Sequence, residues 1–469
     1  FMDELRIAGF CRELKNPGAC LRPEWAASAY NTPAMTPTRI KISADGRFFT
    51  DQDGRPWFYL ADTCWLLFKR ATMKELDEYL QDRAAKGFTV IQAYVIRGLG
   101  ETDPDGNTSL IGAVPFQDRD PNRPNEDFFR HVDEVVARAN ALGLVMALVT
   151  AKSWHVPGGR ECCFDEANAR TFGAFLGNRY RDRAVMWLPG GDSAPAQADA
   201  VWQAMARGLK EGSGGRHLVS YHGDWVTSSS EWYHGADWLD FNTIQSGHTW
   251  ESDNYAFVSV DRALSPAKPT VDIEPSYENH PVGGRPPIDS HKVRTQAYTA
   301  MLAGAAGHGY GALDLFCFFK DADGPFPRGG GGWKELAFQH WRTACAYEGA
   351  AQMGLMRKLF ETRPWWKLVP GQSLMASYKG EGNQRRTAAR AADGSFMLAY
   401  LPEGGTVTMR GLDVLTGSEV IASWFDPRTG QWKEAGRFKK TGSLSFEAPT
   451  SGEKDDWVLV LDAQPSSRS

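Results

Sequence analysis

Apolar, β-rich runs recur along the first three-quarters of the chain at 58–61, 89–96, 144–149, 184–188, 217–221, 239–244, 269–273 and 311–316. Stretches of helical period separate them, such as 73–87 and 127–143, and each of these ends in a glycine, Gly87 and Gly143, where a helix C-cap belongs. Eight strand-like runs alternating with helices predict a (β/α)8 TIM barrel. The alternative, an open doubly wound sheet, lacks a glycine-rich phosphate loop after its first strand. Ahead of the barrel, residues 40–65 read as a small hairpin with Asp-Gly turns running into a strand. Beyond 364–372 the texture changes to short alternating runs at 395–402, 405–412, 419–432 and 455–463, joined by Gly- and Pro-containing turns. That pattern predicts a small all-β sandwich. The expected organisation is an irregular lead over 1–38, an α/β barrel over 39–368 and a β-sandwich over 369–469.

Composition narrows the partners. The chain has 469 residues and a net charge of −5 without long runs of one sign, which leaves no electrostatic footprint for nucleic acid. No apolar segment approaches a membrane span. The first 36 residues lack the apolar core of a signal peptide, so a bacterial cytoplasm or periplasm is the expected place. Seven cysteines fit neither a zinc spacing nor an even disulfide framework, and no HxH or HExxH pattern supports a metal, so no cofactor is expected. Aromatic residues reach 12%, with 17 tryptophans, and aromatic faces stack well on sugar rings. Carbohydrate is therefore the candidate partner; nothing here decides the oligomeric state.

In a (β/α)8 barrel the reactive groups sit at the C-terminal ends of the strands. The predicted tips carry Asp62 to Trp65, Arg97, Lys152 to His155, Asp192, His222 with Asp224 and Trp225, Gln245 with His248, and Glu274. Asp192 and Glu274 stand out because each follows an apolar run, one in 187-WLPGGD-192 and the other in 271-VDIEPSYENH-280. They fall on the fourth and seventh strands, across the barrel mouth from each other. Two opposed carboxylates in an aromatic cleft suit glycoside hydrolysis, by retention or inversion according to their separation. A lone strand-tip acid reads equally well as a helix cap or an arginine partner. Gly190 and Gly191 are read as letting the chain turn tightly and approach a ligand, and Pro275 as keeping Glu274 extended. An acid catalyst near neutral pH needs a raised pKa, for which Trp187 or a neighbouring tryptophan is the expected source of desolvation.

The segments 61-ADTCWLLFKRATMKELDEYL-80, 87-GFTVIQ-92, 187-WLPGGD-192, 268-KPTVDIEPSYENHP-281 and 423-SWFDPRTG-430 resemble the apiosidase-like proteins of glycoside hydrolase family 140. Those proteins join a TIM-barrel catalytic domain to a C-terminal β-sandwich once labelled collagen-binding, and the resemblance spans about residues 40 to 463. It implies a retaining exo-glycosidase with Asp192 as acid/base and Glu274 as nucleophile, acting on a terminal furanose, apiose first. The chain departs from the family pattern at 308–320 and 159–164, which leaves the sugar open. Asp62 is expected to accept hydrogen bonds from sugar hydroxyls. Trp65, Tyr94, Trp154, His155, Trp225, Gln245, His248, Tyr277 and Glu278 are further substrate-binding candidates. A non-catalytic carbohydrate-binding protein is the alternative, although binding alone has no use for two facing carboxylates.

Overall fold

The computed structural model describes residues 39–321, 338–376 and 380–464; the lead expected over 1–38 lies outside them. Parallel strands Tyr59–Thr63, Val90–Ile96, Val145–Ala151 and Val185–Leu188 form one arc of a ring. Strands Gly307–Gly311, Thr270–Asp272 and Asn242–Gln245 form the other, joined to the first where Gly307–Gly311 pairs with Tyr59–Thr63. The gap between the arcs is filled by extended residues 217–221. Trp187 N donates to Leu218 O and Ser220 N to Trp187 O, both at 2.9 Å, and Asp240 N donates to Val219 O at 2.8 Å. The ring therefore closes at eight positions, with helices including Met73–Ala85, Glu126–Ala141, Glu166–Arg179 and Asp199–Ser213 outside it. Gly87 and Gly143 take φ of 87° and 83°, the left-handed geometry expected after a helix end.

One strand is not where the pattern put it. The eighth is Gly307–Gly311, whereas Leu313–Phe316, inside the expected run 311–316, is a short helix. A Gly-His-Gly-Tyr-Gly run scores poorly as a strand because glycine has no side chain to pack. Here that absence is the requirement. A Cβ on Gly307 would lie 2.3 Å from Tyr59 O, one on Gly309 2.6 Å from Ile273 O, and one on Gly311 2.2 Å from the Tyr277 ring.

Alternation along the strands divides the wall into two faces. Tyr59, Ala61, Val90, Tyr94, Val145, Ala147, Val149, Met186, Leu188 and Val271 fill the barrel interior. Leu60, Ile91, Ala93, Met146, Leu148 and Trp187 face the helices. The predicted hairpin is a three-stranded meander, Lys41–Ile42, Phe49–Thr50 and Pro56–Trp57, whose Phe49 packs against Tyr59 and Phe241 inside the barrel.

The C-terminal part is a β-sandwich. A six-stranded antiparallel sheet runs, in spatial order, Leu368–Pro370, Thr387–Ala391, Phe396–Leu401, Trp457–Gln464, Glu419–Phe425 and Trp432–Lys439. Against it lies the pair Gly404–Arg410 and Ser443–Ser451, with Met397, Met409, Trp424, Phe446 and Leu459 between them. The other face of the large sheet packs on barrel helices Ser290–Ala303 and Glu348–Glu361. In that seam Tyr298 stacks on Tyr400 at 4.9 Å, and Arg294 Nε and Nη2 each donate to Asp456 at 2.8 Å. Among the described residues no helix is long and apolar enough to cross a membrane.

Candidate active site

Strict alternation would turn Glu274 outward, because Asp272 already faces the helices, where Ser246 and Asn254 hold it. The chain breaks that parity. Ile273 N (2.9 Å) and Glu274 N (3.3 Å) both point at Ile244 O, and two successive amides on one carbonyl are the mark of a bulge. The extra residue swings the Glu274 side chain into the mouth. There His222 Nε2 meets Oε2 at 2.6 Å, while Tyr277 Oη donates to Oε1 at 2.6 Å and His248 Nε2 lies 3.2 Å from the same oxygen. Burial pushes the Glu274 pKa up, but the hydrogen bonds from His222 and His248 outweigh it and hold the carboxylate well below its usual range. Trp65 Nε1 donates to Tyr277 Oη at 2.9 Å and fixes the tyrosine from behind.

Asp192 lies on the other side of His222, its backbone N–H donating to His222 Nδ1 at 2.9 Å. The glycines before it act differently from the sequence expectation. Neither has positive φ; the left-handed residue of the turn is Asp192 itself, at φ 58°. Gly190 and Gly191 are required by packing, since a Cβ would lie 2.6 Å from the Trp202 ring at Gly190, and 3.0 Å from Tyr94 Oη and 3.1 Å from His222 Cβ at Gly191.

The Asp192 carboxylate is 41% accessible and pairs with the Lys152 ammonium. Desolvation raises its pKa, yet Lys152 and then His222 outweigh that, so the net direction is down. Trp187 plays no part in this. It is fully buried on the helix side, where its Nε1 donates to His217 Nδ1 at 2.9 Å, and the expected desolvation of Asp192 by Trp187 does not hold.

The other sequence candidates divide. Trp65, Tyr94, His248 and Tyr277 line the mouth with the two acids. The buried Tyr94 hydroxyl has no hydrogen-bond partner, and Trp225, 47% exposed, stands edge-on to His248 at 5.3 Å. Trp154 lies at the rim with Arg97, Lys152 and Arg160 within 4.6–5.1 Å of its ring centre. Gln245, with its amide turned to satisfy both groups, donates to Gly223 O at 2.9 Å and Asp224 O at 3.3 Å, and so braces the loop that carries Trp225.

Three candidates face elsewhere. Asp62 shares the outward parity of Leu60 and is buried against Tyr79 Oη and Arg83, whose Nε lies 3.4 Å away, out of reach of a sugar. Glu278 accepts from Tyr310 Oη at 2.7 Å and from Gly349 N at 3.2 Å, in the first turn of helix Glu348–Glu361. His155 is fully buried, with Nε2 3.4 Å from Glu161, and clasps its own loop. Lys152 and His222, both at predicted strand tips, are functional-site residues that the acid pattern alone does not single out. Their position directly after a barrel strand was the available signal.

A cavity of about 400 Å³ lies away from all of these groups, lined by Ile42, His234, Asp237 and Lys268. Its His234 and Lys268 already bond Asn242, Pro266 and Leu239. Among the described residues no group of three or more His, Cys, Asp or Glu is arranged to hold a metal ion.

Residues 43–367 match the family model described as "Apiosidase-like, catalytic domain", and 369–462 match "Putative collagen-binding domain of a collagenase". Among solved structures, one described as "Glycoside hydrolase" is similar at 27% identity and a TM-score of 0.80, over 91% of this chain and 97% of that one. A glycoside hydrolase family 5 protein from Bacteroides vulgatus ATCC 8482 is similar at 28% identity and a TM-score of 0.79, over 91% and 93%. No curated protein matches the chain.

Proposed function

The chain belongs to the apiosidase-like family and is a glycoside hydrolase; on that premise we propose that it is a retaining exo-enzyme releasing a terminal furanose, apiose first, from plant-derived glycans or glycosides. One observation carries the reading. A buried Glu274, whose pKa its imidazole donors hold down, and an Asp192 with an accessible carboxylate lie on either side of a single imidazole, which meets the Glu274 carboxylate and the Asp192 backbone N–H.

In the mechanism, a Glu274 oxygen attacks the anomeric carbon as the bond to the leaving oxygen breaks, and Asp192 gives that oxygen a proton. A covalent glycosyl-enzyme results. Asp192, now a carboxylate, takes a proton from water, whose oxygen attacks the same carbon and frees Glu274. The Lys152 pair suits Asp192 for this second step. For the first step the carboxyl must be protonated, so an incoming glycoside has to draw Lys152 away and exclude water, both of which raise the pKa. Trp225 offers an exposed ring to the sugar. The sandwich buttresses the barrel and carries no part of the chemistry.

The test is release from a panel of aryl glycosides and apiose-containing glycosides, with wild type beside Glu274→Gln and the first-formed anomer read by proton NMR. The expected result is release of one sugar with retained configuration, abolished in the variant. An inverted first product would overturn retention. Silence across the panel, with sugars still binding by calorimetry, would overturn catalysis in favour of a binding protein.

A further inference from the structure

Resting on the reading of Asp192 and Glu274 as the catalytic pair, we propose that His222 is the positioning residue of this site. One imidazole, held as its Nε2–H tautomer, folds the Asp192 turn, aims the Glu274 carboxylate and sets the gap between the two acids.

The contacts run in both directions from residue 222. Its backbone N donates to Gly190 O at 3.3 Å, and its Nδ1 accepts the Asp192 N–H at 2.9 Å. Its Nε2 reaches Glu274 at 2.6 Å. The ring is fully buried and edge-on to Trp65 at 5.1 Å, so it cannot swing. A side chain on Gly191 would press on the histidine Cβ at 3.1 Å, which gives the second glycine of the motif its reason. The left-handed Asp192 is a conformation that disfavours any residue with a Cβ, and the hydrogen bond to Nδ1 ties it in place.

The tautomer follows from the partners. The Asp192 N–H is a donor, so Nδ1 must be bare; the Glu274 oxygen is an acceptor, so Nε2 must carry the proton. Gly223 O, 3.1 Å from the same Nδ1, is the partner a second proton would find. Protonating the ring would therefore break its bond to Asp192. The groups facing the ring are Glu274, Asp192 with Lys152 on its carboxylate, the Gly223 carbonyl and the Trp65 edge; His248 and Tyr277 act through the other Glu274 oxygen. Burial lowers the His222 pKa, but Glu274 outweighs it and pulls the value up. Loss of the second proton on the acid side of the pH profile should then switch activity on.

Two variants and one spectrum test this. In His222→Gln an amide oxygen can accept from Asp192 and an NH2 can donate to Glu274, but nothing titrates. With 4-nitrophenyl β-D-apiofuranoside as probe, His222→Ala should lose about 10²-fold in kcat with KM little changed, as misplacing catalytic groups does. His222→Gln should recover about tenfold of that and lose the imidazole limb of the profile. Long-range 1H–15N spectra of histidine-labelled wild type, with His222 assigned by its absence in the Gln variant, should show a bare Nδ1 at alkaline pH. An Nδ1–H tautomer, a near-wild-type Ala variant, or a Gln variant that keeps the acid limb would each overturn the proposal. If wild type releases no sugar from any probe, the glycosidase reading fails, while the spectrum still decides the role of His222.

Discussion

Two buried carboxylates, Glu274 at the barrel mouth and Asp456 in the seam with the sandwich, have nearly the same number of donors and opposite uses. Asp456 receives a two-pronged bond from Arg294 at 2.8 Å on each oxygen and a third from Tyr400 at 3.0 Å. Its charge is answered by a permanent cation deep between two layers, and nothing can approach it. Glu274 receives His222, His248 and Tyr277, none of them a permanent cation, at the rim of an open mouth. The comparison separates a lock from the proposed reagent. An arginine fork neutralises a carboxylate, whereas imidazole and phenol donors keep it ionised and oriented while leaving its charge available to an electrophile.

The largest effects should test that contrast directly. Glu274→Gln should lower kcat/KM by about 10⁴-fold or more, with a smaller fall in the unfolding midpoint than Asp456→Asn shows, since a glutamine amide can still bond His222, His248 and Tyr277. Asp456→Asn should do the reverse: activity per folded molecule stays near wild type, while denaturation shows a loss of roughly 3–5 kcal/mol because Arg294 is left without its counter-charge. A stable but inactive Asp456→Asn would break the comparison. Asp192→Asn should lose roughly 10²–10⁴-fold on glycosides with poor leaving groups, and far less on a dinitrophenyl glycoside, whose leaving group departs without a proton.

Smaller effects sharpen the picture. Lys152 is the main influence holding the Asp192 pKa down against desolvation. In Lys152→Met that pKa should rise, the acid form should persist to higher pH, and the alkaline limb of the kcat/KM profile should move upward. A limb that stayed or moved down would separate Lys152 from the acid. Burial pushes Glu278 up to about 7 despite its bonds to Tyr310 and Gly349. A raised carboxyl pKa gives stability that is full below the ordinary glutamate range and lost as pH rises towards 7. Glu278→Gln should flatten wild-type stability over that window, a change of a few kcal/mol at most, with kcat unaltered. Urea titrations at several pH values would read it.

Much of this architecture was legible in the chain. The eight-fold alternation, the change of texture near 368 and the two acids after apolar runs all rest on local pattern, and local pattern survives without tertiary context. What could not be read was which way a side chain turns. Asp62 and Glu274 both follow hydrophobic runs, and the runs do not tell which of the two side chains turns into the mouth. Asp62 keeps its strand's alternation and ends among Tyr79 and Arg83; Glu274 is thrown inward by a bulge formed against Ile244. The glycine strand Gly307–Gly311 is not legible locally because the cause of its composition lies in segments distant along the chain, in Tyr59, Ile273 and Tyr277.

The sequence by itself determined the elements, their order and the residue types at the strand ends, because these follow from periodicity and turn chemistry along the chain. The tertiary structure alone decided that His222 spans the two acids and that Lys152 pairs with Asp192. It also decided that the glycines before Asp192 make room for His222 and Trp202. Those are contacts between segments distant along the chain, and their geometry exists only once the barrel has closed.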